Sequence, residues 1–190
     1  MSLDLPGFAD PVLGAQRAFR AVLDAMSHPG RIVRVGEGLV SPAPLCSAAA
    51  ACVLALVDQD VRVHADAEAV AAADWLRFHT GTTLCGLAEA DFVLALALPD
   101  LAGLAAGSDD APELGASVIL QVAALGAGRR FMIEGPGLAV PAAFAVDGLP
   151  EDFAGIWAAN HRRFPRGVDL ILCAGDRLAA LPRSLRIREV

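Results

Sequence analysis

A chain of 190 residues, 55% of them hydrophobic, carries enough apolar material for one continuous core, and a single domain over residues 1–190 is expected. Its 15 basic residues are all Arg, against 22 acidic ones, for a net charge of −7; that balance argues against a broadly basic face for nucleic acid. The absence of any Lys excludes P-loop phosphate chemistry and a pyridoxal-phosphate Schiff base made by this chain itself.

The first residues, Met1 to Gly7, lack a basic segment followed by an apolar run, so no signal peptide is expected. The most apolar stretch, Ala48 to Val57, falls well short of the roughly 20 residues that span a bilayer. Cys46, Cys52, Cys85 and Cys173 lie far apart in apolar surroundings and form no C-x-x-C pair, which predicts buried thiols in a reducing compartment rather than a zinc site. A cytoplasmic protein without membrane contact is the expectation.

In chain order, Asp10-Pro11 supplies a capping carboxylate and a proline for a helix from Pro11 to Met26. Pro29-Gly30 ends it in a turn, and Arg31 to Val35 alternates as a strand. Ser47 to Val57 is apolar on every face and reads as a buried helix, with its β-branched ends leaving a strand open. Val61 to His64 is a short strand, and Asp66 caps a helix through Arg77. Asp91 to Leu98, Ala116 to Ala124 and Arg130 to Ile133 read as strands separated by turns at 99–115 and 126–128. Pro150 to Arg163 is helical, Gly167 to Leu172 is a strand, and the tail from Leu178 is a turn and a short strand. Near-continuous apolar strands alternating with helices predict an α/β fold, three layers α/β/α around a mixed sheet.

The glycine triplets Gly36-Glu-Gly38, Gly126-Ala-Gly128 and Gly135-Pro-Gly137 neither extend to G-x-G-x-x-G nor lead to Gly-Lys, so each is first a tight turn; Gly135 to Gly137, directly after a buried strand, is the one with functional promise. His28, His64, His79 and His161 show no metal-helix spacing, and no G-x-S-x-G elbow is present. His28, before Pro-Gly-Arg, and His79, in Phe-His-Thr-Gly, have the more suggestive neighbours. The segment from His161 to Gly167 gathers Arg162, Arg163 and Arg166 at a helix end; guanidinium forks there suit an anion, or simply complement the helix dipole.

Six segments in order give the chain a further character: Phe8 to Arg20, Ala25-Met-Ser-His-Pro-Gly30, Phe78-His-Thr-Gly81, Gly135-Pro-Gly137, Phe164 to Leu170, and Leu181-Pro-Arg183. Together they resemble the PhnH family, the H subunit of the bacterial carbon-phosphorus lyase system, over nearly the whole chain. One departure stands at the end, where Ser184-Leu185 follows Pro-Arg in place of two Thr.

The resemblance implies a fold like the large domain of pyridoxal-phosphate aminotransferases without the cofactor, and a homodimer. It implies assembly with the G, I and J subunits in a core complex. It further implies that G, H, I and L support formation of ribose 1-methylphosphonate 5-triphosphate from ATP and methylphosphonate. The iron-sulfur radical step belongs to the J subunit, and this chain has no Cys cluster for such a centre.

No residue pattern supplies a catalytic constellation, metal set or cofactor, so an accessory or structural subunit is the leading reading; a nucleotide- or phosphonate-binding protein acting through the Arg cluster is the alternative. Candidate ligand or subunit contacts are Arg162, Arg163 and Arg166 with His79, Thr80, Gly135 and Gly137, together with Arg183, and secondly Gln16, Arg20 and His28. ATP or a phosphonate at a shared site would be the ligand.

Overall fold

The computed structural model describes residues 5–190. The Asp10 carboxylate accepts the Leu13 N–H at 3.0 Å, and Pro11 fills the first turn, so α1 (Pro11–Ser27) starts where the capping pattern places it. A short β1 (Val33–Arg34) follows, reduced from the predicted Arg31 to Val35. The apolar run at 47–57 is α2 (Ser47–Leu56), with Ala48 to Val53 wholly buried. Its Ala-rich surface lets neighbouring layers approach on all sides, and α2 packs on α1, α3 (Ala73–Thr80) and the sheet.

β2 (Arg62–Ala65) runs into Asp66, whose carboxylate accepts from the N–H of Ala69 at 2.7 Å and of Leu96 at 2.6 Å. One aspartate thereby caps a turn and ties it to the end of the adjacent strand. The helix predicted from 66 to 77 is divided into a 3-10 turn (Ala69–Ala72) and α3, which ends at Gly81 with φ +72°.

The remaining elements are β3 (Thr83–Leu84), β4 (Phe92–Ala95), β5 (Ser117–Gln121), β6 (Ala124–Glu134), β7 (Ala142–Asp147), α4 (Phe153–His161), β8 (Asp169–Ala174), β9 (Arg177–Leu181) and β10 (Arg186–Glu189). Seven strands form the main sheet in the order β1-β9-β8-β5-β4-β2-β3. β8, β5, β4, β2 and β3 are parallel, and β9 runs against both of its neighbours. The fold is therefore α/β with a mixed sheet.

Alternate residues of each central strand feed two separate cores. Ile119, Ile171, Cys173, Leu178 and Ala180 join α1, α2 and α3 on one face, while Val118, Leu120, Leu170, Leu172 and Leu181 join the other. The second face departs from the expected helical layer. It is covered by α4 together with a three-stranded antiparallel sheet, β10-β6-β7. The segment read as a turn at 126–128 is part of β6, where Gly126 and Gly128 at φ +83° and +85° accompany a register shift between Leu125 and Arg129.

α4 is fixed by two polar contacts in this second core. Trp157 Nε1 donates to the Leu185 carbonyl at 2.8 Å. The Asn160 amide donates to the Val168 carbonyl at 2.8 Å and its oxygen accepts the Val168 N–H at 2.9 Å. Buried polar groups on α4 are thus paired with backbone, as burial requires.

Candidate functional site around the glycine loop

Four of the six motif segments meet in the fold. The loop from Gly135 to Gly137 leaves β6 and lies against the end of α1: a side chain at Gly137, whose φ is +87°, would collide with the Ser27 carbonyl and come within 2.7 Å of Pro29 Cδ. Gly135 lies beside Ser184 and Leu185, where a Cβ would stand 3.2 Å from the Ser184 carbonyl. His161 completes the arrangement, its Nδ1 3.2 Å from the Arg183 carbonyl and its ring stacked near Phe164 at a centroid distance of 6.4 Å.

Beside this meeting point lies an open cleft of about 500 Å³ lined by Glu134, Gly135, Pro136, His161, Phe164 and Ser184, with Arg186 at its border. The bond to the Arg183 carbonyl places the proton on His161 Nδ1 when the ring is neutral and leaves Nε2 as an acceptor. Arg186 faces Glu134 at 3.8 Å across β10 and β6, both side chains being exposed, so the border carries balanced charge. The cleft offers an aromatic ring, an imidazole, a hydroxyl and backbone at the loop, which suits a polar contact surface.

The structure separates most of the remaining candidates. Arg163 Nη1 is 3.4 Å from the Leu101 carbonyl, beside a smaller cavity of about 320 Å³ next to Asp100 and Ile156. Arg166 pairs with Asp109 at 3.2 Å, and Arg162, which caps α4, has no ion pair among the described residues. Arg183 is committed to Asp169 and also donates to the Pro112 carbonyl at 2.6 Å. The guanidinium groups fan out to different partners.

His79 and Thr80 sit at the end of α3, on the opposite face of the sheet from α4. His79 Nε2 is 3.1 Å from the Leu5 carbonyl and its ring lies 4.7 Å from Trp75, while the Thr80 hydroxyl donates to the Leu76 carbonyl at 2.8 Å. Thr80 thereby bonds its own helix, and His79 ties α3 to the segment before α1. His28 caps α1, with Nδ1 3.0 Å from Asp24, which also receives Arg31 at 2.9 Å. Gln16 and Arg20 are exposed on α1.

Sequence reasoning missed Glu134, Ser184 and Arg186 as cleft residues, because only the pairing of β10 with β6 brings them together. His161 was legible as part of the Arg-rich segment. At the carboxyl edge of the sheet, Cys46 precedes α2 and its N–H donates to Gln121 Oε1 at 2.6 Å. Burial pushes the Cys46 thiol up, against hydrogen bonds from the Ala49 and Ala48 backbone that pull it down. Among the described residues no group of three or more His, Cys, Asp or Glu side chains is arranged to hold a metal ion. No helix among them is long and apolar enough to cross a membrane.

Fold and cleft together define an α/β protein in which separate glycine- and proline-containing motifs are brought to one surface. The chain belongs to the PhnH family: the model described as bacterial phosphonate metabolism protein (PhnH) matches residues 6–188. It is 35% identical over 188 residues to the alpha-D-ribose 1-methylphosphonate 5-triphosphate synthase subunit PhnH of Rhizobium meliloti (strain 1021), covering 96% of this chain and 94% of that relative. It is 32% identical over 178 residues to a putative C-P lyase subunit protein, HtxG, of Stutzerimonas stutzeri, covering 90% and 85%.

Proposed function

We propose that this chain is a subunit of a carbon-phosphorus lyase complex in phosphonate catabolism, required with G, I and L subunits for making ribose 1-methylphosphonate 5-triphosphate from ATP and methylphosphonate. Its role is structural, and it folds as one domain, forms a homodimer, acts in the cytoplasm and joins G, I and J subunits. The observation that carries the reading is the meeting of four motif segments around Gly135 to Gly137, beside a cleft whose polar groups suit contact with another surface. The names of both relatives, each a subunit, support it.

The likeness to the large domain of pyridoxal-phosphate aminotransferases is supported by a seven-stranded sheet in which β9 alone runs against the rest. The chain has no lysine to carry that cofactor. Ligand binding through the Arg cluster has less support, since Arg166 and Arg183 already hold carboxylates.

Co-expression with G, I and J subunits tests the reading: the chain is expected in a stoichiometric complex after size exclusion, and its elution apart from them would refute it. Sedimentation of the isolated chain, expected at the mass of a dimer, checks the self-association.

A further inference from the structure

A helix lying on a globular core turns its apolar side inward and its polar side to water. α1 does the first through Ala18, Val22 and Ala25, all buried. A second, exposed side breaks the rule. Val12, Phe19 and Leu23 are spaced by seven and four residues, so they form one stripe along the outer face, and they are 77%, 50% and 54% exposed. Leu13 extends the apolar surface at the first turn. Scattered exposed apolar residues are ordinary; three in register on one helix, with a large aromatic at the centre, are the mark of an interface.

The charge beside the stripe selects the partner. Arg20 is exposed on α1 next to the stripe and has no ion pair among the described residues, whereas Asp24 is occupied by His28 and Arg31. An unpaired guanidinium beside an apolar stripe is complementary to a carboxylate. A second copy docked on this face by a two-fold axis would bring the same Arg-bearing helix against itself, like charge facing like.

We infer that the outer face of α1 is the docking surface for a different polypeptide, one that presents an apolar ridge rimmed by Asp and Glu. Phe19 is the central anchor, Val12 and Leu23 extend the contact along the helix, and Arg20 pairs with the acidic rim. Gln16, between Val12 and Arg20 on the same side, supplies a hydrogen bond within the contact. The inference rests on the subunit reading above and adds to it the face used and the chemistry of what covers it.

The test is capture of the purified chain by an immobilised mixture of the G, I and J subunits. Phe19→Gln and Val12→Gln are each expected to weaken capture by about ten-fold or more. Arg20→Glu is expected to weaken capture and to flatten its dependence on salt, while all three variants keep the wild-type melting temperature. Val12 is more exposed than Phe19, so its variant stands even if Phe19→Gln perturbs folding. Wild-type capture by Val12→Gln and Arg20→Glu would overturn the inference and leave the subunit reading intact. Loss of self-association in these variants with capture unchanged would overturn it in favour of a second copy. Failure of the unmodified chain to be captured would remove both the subunit reading and the inference.

Discussion

Arg183 grips Asp169 with one edge of its guanidinium: Nε lies 3.1 and 3.0 Å from the two carboxylate oxygens, and Nη2 adds a third contact to Oδ2. The side chains are only 12% and 14% exposed, and Nη1 continues to the Pro112 carbonyl. One residue thus joins the start of β8, the chain after β9 and the loop before β5. Removing one partner leaves the other charge buried and unpaired. Arg183→Ala is expected to lower unfolding free energy by about 3 kcal/mol in denaturant titration. Asp169→Asn should cost somewhat less, because the amide oxygen still accepts.

Asn160 makes the corresponding prediction for α4. Its amide closes two hydrogen bonds with the backbone of Val168, and an apolar replacement strands a buried N–H and a buried carbonyl. Asn160→Leu is expected to cost about 1–3 kcal/mol, measured by chemical denaturation, with the secondary structure retained by circular dichroism. Asn160→Asp should be destabilising too, since it replaces the donating amide with a carboxylate facing a carbonyl.

What the sequence disclosed and what it withheld divide along physical lines. α1 was readable from Asp10-Pro11 and a regular apolar period, and α2 from its unbroken apolar surface. β7 and the extension of β6 escaped because Ala142, Ala143, Gly126 and Gly128 carry little strand preference of their own; pairing over long sequence separation holds them. The same pairing explains the covering sheet where a helical layer was expected. Gly135 and Gly137 stand out in the sequence by position, but their contacts with Ser27 and Ser184 belong to the folded chain. The Arg-rich segment looked like one site because its residues are adjacent in sequence, whereas a helix end directs successive side chains to different neighbours.

The pair Arg62 and Asp91 yields a pH dependence. The side-chain hydrogen bond from Arg62 holds the Asp91 carboxyl below its ordinary range, partly opposed by burial. A carboxylate whose folded pKa is depressed contributes stability above its unfolded pKa, and loses it as pH falls through the folded value. Comparing wild type with Asp91→Asn in thermal melts, the difference should be present at pH 7 and shrink to nothing under strongly acidic conditions. The pair is largely exposed, so the difference should be small and reduced by salt.

The thiols give a chemical test of burial. Burial pushes Cys46 and Cys85 above the ordinary thiol value; the hydrogen bond with Cys52, its Sγ 4.0 Å away, and then complete burial push Cys173 well above it. At pH 7 a disulfide-exchange reagent should react slowly with Cys46 and Cys85 and only after unfolding with Cys52 and Cys173. Fast reaction of Cys52 or Cys173 in the native protein would contradict the packing around α2 and β8.

The most direct test of the structural role is formation of ribose 1-methylphosphonate 5-triphosphate by purified G, I and L subunits with ATP and methylphosphonate, in the presence and absence of this chain. The account predicts product only when the chain is present, and comparable turnover when Arg162, Arg163 and Arg166 are all replaced by Ala. Turnover without the chain would contradict its place in the complex, and loss of turnover in an assembled triple-Ala complex would contradict its structural role.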